Sequence, residues 1–98
     1  MKITDIKDFK DFKELESRPV NGGVQYFVRF KNNYGASIVK HDFSYGNKDG
    51  LWELAVIKID ENNNWGLCYT TKITNDVLGY LSDADVNDLL LKISRLRK

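Results

Sequence analysis

Side chains equipped for chemistry are few in this chain. Among its 98 residues there is one histidine, His41, and one cysteine, Cys68. With Asp42 beside His41, and Cys68 or a serine as nucleophile, a hydrolytic nucleophile–base–carboxylate set can be drawn. Adjacent strand residues point to opposite faces, however, so Asp42 would not orient the His41 ring. No nucleophile sits in a strand–turn–helix elbow. Cys68, beside Tyr69 and without a local basic cluster, reads as a small buried hydrophobe rather than an activated thiolate. The run Asp60-Glu61-Asn62-Asn63-Asn64 offers oxygen ligands but lacks the alternating spacing, central glycine and distal glutamate of a calcium loop, so it reads as a hairpin turn. Asp83, Asp85 and Asp88 gather where a helix begins, and dipole complementarity accounts for them.

Phosphate-binding loops need glycines leading into a helix. Here Gly22-Gly23 and the run from Tyr45 to Gly50 lead into strands. The segment Tyr26-Phe27-Val28-Arg29-Phe30 ends like an RNA-recognition strand, but it lacks that motif's glycines and preceding basic residue. The expectation is a protein that is not an enzyme, with no cofactor and no metal.

Bulk properties narrow the class further. The length fits one domain over residues 1–98, and such a chain buries roughly 60–65% of the surface its unfolded form exposes. A composition of 42% hydrophobic and 30% charged residues suits a folded domain. Five Phe, five Tyr and two Trp must dominate a core or an interface. The formal charge is only +1. Residues 1–18 hold five basic and five acidic side chains, and residues 19–70 again five of each. Only the tail, with Lys92, Arg95, Arg97 and Lys98, is one-signed. So balanced a surface disfavours nucleic acid and anionic membranes as partners. A single cysteine, a charged N-terminal stretch and no long apolar run point to the cytoplasm and away from a membrane.

The elements that must position any site follow from periodicity. Ile3, Ile6, Phe9, Phe12 and Leu15 recur every three residues, which predicts an amphipathic N-terminal helix ended by Pro19. From Val24 the period is two, with Val24, Tyr26, Val28 and Phe30 on one side and Gln25, Phe27 and Arg29 on the other. Asn32-Asn33-Tyr34-Gly35 is a turn, followed by a strand over 36–41. Residues 42–50 read as a loop, 51–59 as the strongest strand, and 65–70 as a fourth strand. Thr74-Asn75-Asp76-Val77 resembles a capped single turn broken by Gly79. Ser82 with Asp85 forms a capping-box pattern, Leu81 and Val86 a hydrophobic staple, and Val86, Leu89, Leu90, Ile93 and Leu96 the buried stripe of a C-terminal helix. The expected fold is α+β: a two-layer sandwich, α-β-β-β-β-α, with a four-stranded antiparallel meander and a helix at each end.

The strand over 51–59 is apolar on both sides: Leu51, Ala55, Ile57 and Ile59 on one, Trp52, Leu54 and Val56 on the other. Two helices cover one sheet face, so one apolar row is left for a partner or for a wrapping loop. Trp52, Tyr45, Trp65 and Phe27 are the candidate partner-binding residues, and a protein partner or a homodimer is the candidate occupant. The alternative is weak single-strand nucleic-acid binding through Tyr26, Phe27, Arg29 and the basic tail.

The runs Gly50-Leu51-Trp52-Glu53-Leu54-Ala55-Val56, Leu67-Cys68-Tyr69-Thr70 and Ile73-Thr74-Asn75-Asp76-Val77-Leu78-Gly79-Tyr80-Leu81 resemble small uncharacterised proteins encoded by phages and prophages of Gram-positive bacteria. The resemblance covers about the last half of the chain and brings no functional residues. It implies an accessory protein inside a bacterial cell, acting on a host or phage component through protein–protein contact.

Overall fold

A computed structural model of the chain describes residues 11–20, 22–41, 50–67 and 78–96. The described elements run β1 (Phe12–Val20), β2 (Gly23–Phe30), β3 (Tyr34–Lys40), β4 (Trp52–Ile59), β5 (Trp65–Leu67), β6 (Leu78–Leu81) and α1 (Asp83–Ser94). All pairings are antiparallel, and β1 to β5 lie in chain order across one curled sheet of six strands. β3 takes one edge of β4. The other edge is shared, with β6 beside Trp52 and Leu54 and β5 beside Ile57 to Ile59.

This corrects the α-β-β-β-β-α expectation in two places. The molecule is mostly β, and among the described residues no helix precedes the sheet. The segment holding Phe12 and Leu15 is a strand; residues 1–10 lie outside the described residues. The three-residue spacing that suggests a helix there has another origin. Phe12 stands opposite Phe30 and Leu15 opposite Val28, with a register shift between Phe12 and Glu14. The bulge adds one residue to β1, so apolar side chains three apart both reach the core. Both pack against it. Between β1 and β2 only Asn21 and Gly22 separate the closing pair Val20–Gly23, and Gly22 has φ 80°. Asn-Gly at that spacing is a two-residue hairpin signal.

The second correction is β6, which makes the meander's five strands a sheet of six. Leu81 lies opposite Trp52 and Leu78 opposite Leu54, again across a register shift. Tyr80, at φ 57°, occupies the extra position. The turn expected at 74–77 lies outside the described residues, as do residues 68–70 of the fourth expected strand.

The C-terminal helix and the core row of β2 are as expected, while β3 starts at Tyr34, inside the expected turn, and most of the expected 42–50 loop lies outside the described residues. Val28, Phe30, Ala36, Ile38, Leu54 and Val56 form the core face of the sheet. Onto it α1 lays Val86, Leu90 and Ile93, all fully buried, with Leu89 and Leu96 partly so. The capping box is formed: Asp85 N–H donates to Ser82 Oγ and Ser82 N–H to Asp85 Oδ2, each at 3.1 Å. Asn32, in the β2–β3 turn, ties down the other end of the helix. Its Nδ2 donates to the carbonyls of Ile93 and Leu96 at 2.9 Å, and its Oδ1 accepts from Tyr34 N–H at 3.0 Å. The Ile93 carbonyl, in the last turn, also accepts from Leu96 N–H at 3.2 Å, and the Leu96 carbonyl lies just past the helix end.

Candidate interaction site on the open sheet face

The face away from α1 is built by the alternate residues of the same strands. Register places Glu16 beside Phe27, then Ser37 and Ala55; the next row holds Glu14, Arg29, Gly35 and Ile57. Ile59 and Trp65 pair beyond them. Ala55, Ile57 and Ile59 are buried even though no described helix covers this side. Ile57 and Ile59 line a groove together with side chains of β1, β2 and β5.

Gly35 is the hinge of this arrangement. A Cβ there would lie 2.0 Å from the Val28 carbonyl oxygen, so only glycine fits. On the same face the rings of Phe27 on β2 and Trp65 on β5 meet, centroids 4.8 Å apart and tilted by 52°. Trp65 keeps 52% of its surface exposed. Together they wall a groove of about 450 Å³ that also touches Glu14, Glu16, Arg18, Arg29, Ile57, Ile59 and Asn63.

Polar tracks flank this apolar strip. On one side Arg18 Nε donates to Gln25 Oε1 at 2.9 Å, and Gln25 Nε2 to Ser37 Oγ at 2.8 Å. That chain holds the Arg18 guanidinium 5.2 Å from the Phe27 ring centre, a cation–π geometry. On the other side Arg29 Nη1 donates to Asn63 Oδ1 at 2.6 Å, and Nη2 reaches Asn33 Oδ1 at 3.4 Å. Its nearest carboxylate oxygen, on Glu14, is 3.9 Å away, at the outer limit of an ion pair. Arg29 is only 15% exposed, and its Nε is buried without an acceptor. A cation held this deep on mostly neutral partners is costly. Asn63 is placed by the β4–β5 turn, where Asp60 Oδ1 accepts from Asn62 and Asn64 N–H and Asn63 adopts φ 69°. The run Asp60 to Asn64 is thus a hairpin turn. Among the described residues, no three His, Cys, Asp or Glu side chains gather to hold a metal ion.

Of the four candidates read from sequence, Phe27 and Trp65 meet in this groove. Trp52 lies on the opposite face and is 7% exposed. Its Nε1 donates to Asp83 Oδ1 at 2.7 Å, Lys40 Nζ sits 4.0 Å over its ring, and Tyr26 meets it edge-on at 5.9 Å. It is a structural tryptophan joining β4 to the start of α1. Tyr45 and the rest of 42–49 lie outside the described residues, as does Cys68. Tyr26 belongs to the helix-covered face, so it cannot share a binding surface with Phe27 and Arg29. His41 follows the last residue of β3 and does not line the groove. Glu14, Glu16 and Arg18 escape the sequence reading because β1 is mistaken for helix. The signal that finds them is Asn21-Gly22 read as a hairpin. Among the described residues no helix is long and apolar enough to cross a membrane. No protein-family model, curated protein or solved structure matches this chain.

Proposed function

We propose that this chain is a small non-catalytic module that binds a protein partner through the groove on its open sheet face. The observation that carries the reading is the Phe27–Trp65 pair. A large ring half open to solvent, supported by a second ring over a floor of Ile57 and Ile59, suits the insertion of a partner's apolar side chain. The flanking groups carry both signs, Glu14 and Glu16 with Arg18 and Arg29, as a peptide's mixed polar groups require. The same mixture argues against a nucleic-acid strand, whose phosphates would meet two carboxylates beside the two arginines. The C-terminal resemblance supplies the setting: an accessory protein of phage or prophage origin, working in the cytoplasm of a Gram-positive cell.

The test is capture from a Gram-positive lysate by tagged wild type and by Trp65→Ala, each with and without nuclease. The reading expects a nuclease-resistant protein that wild type retains and Trp65→Ala loses, while the variant keeps its circular dichroism spectrum. Capture abolished by nuclease and weakened steeply by salt supports the nucleic-acid alternative instead. Equal capture by a folded Trp65→Ala removes the groove from the interaction.

A further inference from the structure

We propose that β1 is a self-pairing edge: two copies of this chain join antiparallel, β1 to β1, about a two-fold axis through Ser17. Among the described residues β1 has no neighbour on its outer side, and Glu14, Glu16, Ser17, Arg18 and Pro19 are all exposed. The two-residue hairpin fixes which backbone groups face outward. Its closing pair Val20–Gly23 exchanges hydrogen bonds, so Val20, Arg18 and Glu16 direct N–H and C=O towards β2. Leu15, Ser17 and Pro19 direct theirs outward. Pro19, which has no N–H, therefore stands where it breaks no bond of its own sheet; across the paired edge its carbonyl accepts from Leu15 N–H of the second copy with no bond donated in return.

Charge then selects one register. A two-fold perpendicular to the sheet keeps each face continuous, so the axis must pass through a residue. Through Leu15 it would set Glu14 against Glu16 of the second copy. Through Glu16 it would set that carboxylate against itself, and through Arg18 two guanidiniums would meet. Through Ser17, Glu16 faces Arg18 of the second copy and Arg18 faces Glu16, with no like pair opposed. Within its own sheet neither has a counter-charge directly opposite, since Glu16 faces Phe27 and Arg18 faces Gln25. On the core side half-buried Leu15 would meet Pro19 of the second copy. The central Ser17 pair supplies two outward-facing backbone hydrogen bonds. Alternating charges protect an edge from foreign strands; here the same alternation is complementary to itself. The two grooves, each lined by Glu16 and Arg18, would lie side by side across the axis.

Sedimentation equilibrium of the wild type over micromolar to millimolar concentration tests this, and its readout does not depend on any groove partner. A monomer–dimer equilibrium is expected. Arg18→Glu sets Glu against Glu16 and should weaken it roughly tenfold or more, as should Glu16→Arg. The double swap, Glu16→Arg with Arg18→Glu, restores complementarity and should return the dimer to near wild-type strength. A wild type that stays monomeric at millimolar concentration overturns the proposal. So does a dimer indifferent to either single swap, or a folded double swap that remains as weak as the singles.

Discussion

Trp52 and Trp65 stand on opposite faces of one sheet and are held in opposite ways. Trp52 is 7% exposed, hydrogen-bonded to Asp83, overlaid by Lys40 and wedged against Tyr26. Trp65 is 52% exposed and, among the described residues, leans on the Phe27 ring. Around the first, the indole N–H is matched by Asp83 and α1 residues complete the same core. Around the second, a groove stays open and Arg29 keeps a buried Nε without an acceptor. The contrast separates a face sealed by α1 from a face that stays open, the one proposed here to bind a partner. Burial and hydrogen bonding decide which tryptophan does which; residue type does not.

Substitutions on either face test that contrast, and the largest effects belong to the covered one. Trp52→Ala should lower the unfolding free energy by about 3–5 kcal/mol in urea titration, because it empties a core position and breaks the tie to Asp83. Gly35→Ala should cost about 1–3 kcal/mol, since the new methyl presses on the Val28 carbonyl and the β2–β3 ladder must shift. Asn32→Ala should cost about 1–2 kcal/mol by removing its hydrogen bonds to the Leu96 and Ile93 carbonyls, the latter keeping only its backbone donors. Hydrogen exchange in the last turn of α1 should quicken with it. Ser82→Ala should cost about 1 kcal/mol through loss of the cap. Smallest is Trp65→Ala, expected to cost at most about 1 kcal/mol for the ring pair it breaks.

How far the sequence foretells this depends on whether period and register agree. In β2 they do: alternation places Val28 and Phe30 inside and Phe27 and Arg29 outside, as found. α1 is equally legible, since Ser82, Asp85 and the Val86–Leu90–Ile93 stripe are local signals for a local structure. The bulge in β1 defeats the reading: Phe12 and Leu15 are three residues apart, a helical interval that an extra strand residue also produces. β6 goes unread because Gly79 looks like a break rather than part of a short bulged strand. Losing β1 to a helix removes Glu14, Glu16 and Arg18 from view, and with them one wall of the groove. The two apolar rows of β4 announce a second surface, but not which row is covered. That is settled by α1 packing on Leu54 and Val56, a long-range contact that composition does not encode.

The most direct test of the central claim measures stability and partner capture on the same two variants, Trp65→Ala and Trp52→Phe. The account expects Trp65→Ala to keep nearly the wild-type urea midpoint and lose its partner. It expects Trp52→Phe, which loses the Asp83 hydrogen bond, to drop in midpoint yet still capture the partner under folding conditions. A Trp65→Ala protein that unfolds early but binds normally would contradict the division of labour between the two faces.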